Sequence, residues 1–82
     1  RPAYQIWVDF GEELGILKSS AQITELYTLD NLVGQQILGI VNFPDMQIAS
    51  FMSEFLILGL YTEEGVVLIQ PDRDVKKGSK LG

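Results

Sequence analysis

Asn42-Phe43-Pro44-Asp45-Met46-Gln47-Ile48-Ala49-Ser50-Phe51-Met52-Ser53-Glu54 joins two apolar, β-like runs, Gln36–Phe43 and Phe55–Leu60. A connection between such runs is ordinarily short and polar. This one carries Phe43, Met46, Ile48, Phe51 and Met52 among Asn42, Gln47, Ser53 and Glu54. It is too apolar for a solvated loop and too interrupted for a strand. A segment of this composition either packs onto a small core or offers an adhesive surface.

Outward from it, the chain reads as short strands. In Ala3–Phe10, Tyr4, Ile6, Val8 and Phe10 share one face and Gln5, Trp7 and Asp9 the other, the alternation of a half-buried strand. Gly11-Glu12-Glu13 reads as a turn into a second strand over Leu14–Ser19, giving a hairpin. Ala21–Tyr27 lacks alternation; Ile23, Leu26 and Tyr27 fall at helical spacing and predict one or two helical turns. Thr28 is placed to cap a further turn over Leu29–Val33, with Gly34 ending it. Gln36–Phe43, Phe55–Leu60 and Val66–Gln70 are the third, fourth and fifth strands, and the unbroken Val66–Ile69 run predicts burial on both faces. Short strands with one small helix between the second and third predict an all-β fold of Greek-key barrel type, for which an OB-fold is a common solution.

At 82 residues the chain is one domain, 1–82. A domain of this size buries roughly 60–65% of its unfolded surface, so association with a second copy is the natural source of extra stability. Cysteine and histidine are both absent. That removes disulfides, thiolate or imidazole metal sites and histidine-assisted nucleophiles, and no Gly-rich phosphate loop is present. The expectation is a non-enzymatic protein with no catalytic residues, metal or cofactor. No apolar run approaches the ~20 residues of a membrane span, and the first residues do not read as a signal peptide, so a soluble, cytoplasmic protein without membrane insertion is expected. The net charge of −5 conceals an asymmetry. From Pro2 to Asp72 the one base is Lys18, against ten acids, a net of −9, while Arg73, Lys76, Lys77 and Lys80 crowd the C-terminus. A phosphate-binding surface needs clustered bases. Here it must draw on that tail, on Lys18 and on a second subunit.

Ser19-Ser20-Ala21-Gln22-Ile23-Thr24, Asn42-Phe43-Pro44, Gln47-Ile48-Ala49 and Phe51-Met52-Ser53-Glu54 together are specific. With Pro2-Ala3-Tyr4, Val8-Asp9-Phe10-Gly11, Gln70-Pro71-Asp72 and Gly78-Ser79-Lys80, they resemble the tRNA-binding OB-fold domain family, nearest its export-related chaperones of the CsaA type. Domains at the C-terminus of methionyl-tRNA synthetases are similar. The resemblance implies a five-stranded OB barrel, a homodimer, tRNA binding and, for the CsaA type, the holding of unfolded or pre-secretory polypeptides. It also implies a first strand ahead of Arg1 that is absent from these residues. Three positions depart from the family pattern: Asp45 and Met46 stand where a proline and a basic residue are usual, and Ser50 where glycine is frequent.

Each candidate residue has a structural alternative. Lys18 suits a phosphate, with Ser19 orienting it; the serines equally suit backbone groups where a strand stops. Gln22 and Asn42 both donate and accept, as a base edge or a peptide backbone requires, or they hold loops together. Met46, Phe51 and Met52 suit varied peptide side chains, and Phe51 suits a base; they also suit a barrel cap or a subunit interface. Ser53 and Glu54 point to opposite faces if they lie on a strand, which argues against a nucleophile–base pair. Trp7 points outward, as subunit contact or base stacking requires, and is assigned to the dimer interface. The nucleic-acid set is Lys18, Ser19, Gln22, Asn42, Phe51, Ser53, Lys76, Lys77 and Lys80. The peptide set is Gln22, Asn42, Met46, Phe51 and Met52.

Overall fold

The computed structural model describes residues 2–48 and 50–82. Arg1 and Ala49, the second within the family-like Gln47-Ile48-Ala49 motif, lie outside the described residues, as does the side chain of Ile48. The described residues form eight short strands and two single-turn helices. Strand β1 (Tyr4–Asp9) pairs antiparallel with β2 (Ile16–Ala21), in a register that sets Tyr4 opposite Ala21 and Trp7 opposite Lys18. Helix α1 (Gly11–Leu14) fills their connection, and α2 (Leu29–Leu32) follows β2. Strands β3 (Gly39–Ile40) and β6 (Leu56–Ile57) form a second ladder, β4 (Met46–Ile48) and β5 (Phe51–Ser53) a third, and β7 (Gly59–Thr62) and β8 (Gly65–Leu68) a fourth. All four ladders are antiparallel and two-stranded, and among the described residues they do not join into one closed barrel. The fold is small and mostly β.

The ladders are sewn together by hydrogen bonds outside them. Leu38 N–H donates to the Ile69 carbonyl at 3.1 Å, Leu58 N–H to the Leu38 carbonyl at 2.9 Å, and Ile69 N–H to the Leu58 carbonyl at 3.1 Å. Leu58 therefore ends one ladder and begins another, which is why the predicted Phe55–Leu60 strand divides into β6 and β7. On the other side, Glu54 N–H donates to the Lys18 carbonyl at 2.7 Å and Ser20 N–H to Ser53 Oγ at 3.0 Å, closing β5 onto β2.

Ala21, Ile23 and Leu68 are the buried centre of the core, surrounded by Tyr4, Ile6, Tyr27, Leu32, Ile37, Ile57 and Val66. Tyr27 is a polar rivet in it: its hydroxyl accepts the Leu68 N–H at 2.9 Å and its carbonyl accepts the Tyr4 hydroxyl at 2.7 Å. Phe55, fully buried, meets Phe10 edge to face with ring centroids 5.1 Å apart, a contact worth about 0.5–1.5 kcal/mol beyond area.

Several expectations are corrected. Among the described residues there are two helices, not one, because Gly11–Leu14 coils into a helical turn that Gly15 ends at φ +72°. The helical turns expected over Ala21–Tyr27 do not form: β2 runs on to Ala21, since Ser20 is tied to β5 as well as to β1. Thr28 does cap α2, exchanging hydrogen bonds with Asn31 through a capping box. Of Gln36–Phe43 only Gly39–Ile40 is a strand, as Gln36 spends its amide on both the N–H and the carbonyl of Val75. Strand β8 is not buried on both faces: Leu68 is buried and Val67 is 37% exposed. Most notably, the segment read as neither loop nor strand is the β4–β5 hairpin. Its alternation is hidden because the inward place is held by Ser53, buried and hydrogen-bonded, while Met52 beside it faces solvent.

The C-terminal tail is held against the end of β1. Gly11 (φ +92°) and Gly78 (φ +85°) face each other's segments. A Cβ on Gly11 would lie 2.7 Å from the Lys77 carbonyl oxygen, and one on Gly78 would lie 2.5 Å from that of Phe10. Only glycine combines those dihedrals with that approach.

Candidate functional site

Pairing of β1 with β2 places Trp7 and Lys18 on one face, directly opposite each other, where side chains of adjacent strands touch. The seam between β2 and β5 brings Phe51 to the same place. The Lys18 ammonium nitrogen lies 5.1 Å from the Phe51 ring centroid, and the Trp7 and Phe51 rings meet edge to face at 5.8 Å and 83°. Trp7 remains 60% exposed. Among the described residues the Lys18 ammonium makes no ion pair. The cluster is thus a free cation held beside two aromatic rings, fixed from beneath by Glu54, whose carboxylate accepts the Lys18 N–H at 3.0 Å.

From Trp7 a groove of about 2170 Å³ runs between β1 and residues 35–42 and reaches the tail. Asn42, Lys76, Lys77 and Lys80 line it. Lys77 pairs with Asp9 at 3.1 Å. The Asp9 carboxyl is held below its ordinary range, first by the Gly11 N–H at 3.0 Å and then by Lys77. Part of the tail's charge is therefore already neutralised by the chain itself.

The predicted residues divide accordingly. Lys18 and Phe51 come together, and Asn42 and the three tail lysines share the groove. Gln22 is exposed but lies in a separate hollow of about 570 Å³ with Glu25, Glu63 and Glu64. Met46 and Met52 are exposed on β4 and β5. Ser19 and Ser53 are buried, at 1% and 0% exposure, and present no surface in this conformation: Ser53 accepts from Ser20, and Ser19 donates to the Ser20 carbonyl at 3.2 Å. The placement of Trp7 against Phe51 was not legible in the sequence, because it depends on the register across a six-residue connection and on the β2–β5 seam. Glu54 likewise carries no sequence signal for its role beneath Lys18.

Comparison with known proteins gives this arrangement a context. Residues 3–80 match the family model described as "Putative tRNA binding domain". Two crystal structures of CsaA chaperones superpose closely. That from Bacillus anthracis str. Ames has a TM-score of 0.91 and 46% identity over 99% of this chain and 77% of its own. That from Picrophilus torridus has a TM-score of 0.94 and 46% identity over 99% and 74%. Among curated proteins, the methionine–tRNA ligase of Methanocaldococcus jannaschii is 33% identical over 94% of this chain, and that of Leptospira biflexa 34% over 90%. The chain spans only 12% and 11% of the length of those two ligases. Matched across nearly its whole length, the chain belongs to the tRNA-binding domain family.

Proposed function

We propose that this protein is a non-enzymatic tRNA-binding module of the CsaA type, acting as a homodimer in the cytoplasm and also holding unfolded or pre-secretory polypeptides. The observation that carries the reading is the family match over residues 3–80, supported by the 46% identity to CsaA chaperones. We read the ladders as parts of a five-stranded OB barrel. Phosphates would be met by Lys18 and by the groove-lining lysines 76, 77 and 80, and a second subunit would double that basic surface. Asn42 and Gln22 would add polar contacts from their two separate hollows.

A salt titration of tRNA binding to the full-length protein tests this. Micromolar or tighter affinity that falls steeply with ionic strength is expected, and joint replacement of Lys76, Lys77 and Lys80 by Glu removes it. Absence of binding at low ionic strength would overturn the reading. The acidity of residues 2–72, together with the exposure of Met46 and Met52, favours one alternative: a peptide-holding export chaperone that has lost most nucleic-acid affinity. Suppression of client aggregation that is lost on replacing Phe51 and Met52 by Ala would support it.

A further inference from the structure

We propose that Trp7, Phe51 and Lys18 form a stacking platform for one unpaired nucleotide of single-stranded RNA. The base lies on Trp7 and its phosphate meets Lys18. The inference rests on the tRNA-binding reading and names the part of the RNA that this face takes.

Three observations carry it. First, Trp7 is an indole with 60% of its surface exposed, set in a hairpin rather than at a mobile end. Its edge-to-face contact with Phe51 at 5.8 Å and 83° fixes its orientation without covering it. An aromatic ring with a free face is sequence-tolerant, because every base has a π-face to offer. Second, Lys18 lies directly opposite Trp7 in the ladder, and its ammonium is 5.1 Å from the Phe51 centroid. A base on the indole carries its phosphate into reach of that cation, which pairs with no carboxylate among the described residues. Third, the cluster is rigid from below. The Lys18 backbone is bonded to Glu54 through both its N–H and its carbonyl, so the strand segment that carries Lys18 is set before a ligand arrives. A duplex does not suit this surface, because the faces of its bases are covered by their neighbours.

Trp7 is the single tryptophan of the chain, so its emission reports on the site directly. The probes are octauridylate, a blunt RNA duplex of equal length and whole tRNA. Each is titrated at low ionic strength into the full-length protein and followed by tryptophan emission and by anisotropy of labelled RNA. Octauridylate is expected to quench Trp7, and the duplex is not. Trp7→Ala is expected to lower octauridylate affinity roughly 5- to 150-fold, while Trp7→Phe stays within about threefold. Lys18→Met is expected to reduce the salt slope by about one. Undiminished octauridylate binding by Trp7→Ala, or equal quenching by the duplex, overturns the platform. If tRNA binds without any change in Trp7 emission, the platform falls and the tRNA-binding reading stands. If no RNA binds, both fall. Quenching by an unfolded polypeptide in place of RNA overturns the assignment in favour of a peptide. A change in sedimentation mass for Trp7→Ala assigns Trp7 to contact between copies and overturns it too.

Discussion

Replacing Ser53 by Ala separates a contact residue from a structural one. The Ser53 side chain is fully buried and its hydroxyl accepts the Ser20 N–H at 3.0 Å. In the variant a methyl group faces that N–H, and the acceptor is lost. An unsatisfied donor of this kind costs about 1–3 kcal/mol, a large part of the stability of a domain this small. With a urea m-value of about 1 kcal/mol/M, the unfolding midpoint moves down by roughly 1–3 M. At 4–8 °C per kcal/mol, the thermal midpoint falls by about 4–24 °C. Circular dichroism in a urea series measures the first and a thermal scan the second. In parallel, tRNA affinity well below the variant's own midpoint is expected to stay within about twofold, since the hydroxyl has no exposed surface. The reasoning is refuted if the variant is as stable as the parent and tRNA affinity collapses, for the hydroxyl would then be reaching the ligand.

Phe55→Ala empties the fully buried site against Phe10 and is expected to cost about 3–5 kcal/mol, read as loss of a cooperative urea transition near room temperature. Gly78→Ala introduces a Cβ 2.5 Å from the Phe10 carbonyl oxygen at φ +85°. It is expected to free the tail, seen as faster proteolysis after Lys76 and Lys77 with the urea midpoint moved by under about 1 M. Asp9 is a group whose folded pKa lies below its ordinary 3.8. Its contribution is complete above that value and is lost as pH falls below it toward the folded pKa. Asp9→Asn is therefore expected to lower the thermal midpoint at neutral pH and to flatten its decline in acid. An acid decline as steep as the parent's would count against the Gly11 and Lys77 contacts.

What the sequence disclosed followed from local chemistry. Alternation in Tyr4–Asp9 gave β1 and its outward Trp7, and the Thr28 cap gave α2. What it hid depended on partners distant in the chain. Ser53 sits inside and Met52 outside, the reverse of hydropathy, and the Ser53 hydroxyl accepts the Ser20 N–H there. The run from Phe55 to Leu60 reads as one strand, yet Leu58 turns to new partners midway. The candidate site was half legible. Lys18 and Phe51 stood out as a lone base and an aromatic in a strange segment, and Asn42 and the tail lysines as polar and charged groups. That Trp7 joins the first pair needs the ladder register, and that Ser19 and Ser53 are interior needs the β2–β5 seam.

The circuit through Leu38, Leu58 and Ile69 has a consequence for how the molecule breathes. Each of the three donates to one and accepts from another. Opening the β7–β8 ladder by way of Ile69 therefore strips the Leu38 amide of its acceptor, and opening β6 by way of Leu58 strips Ile69. Two ladders that look separable are therefore expected to exchange their amide protons as a single unit. Their slowest amides are expected to share one rate close to that of global unfolding. The β4–β5 hairpin stands outside this circuit and is tied to β2 instead, through Ser53 and the Glu54 N–H.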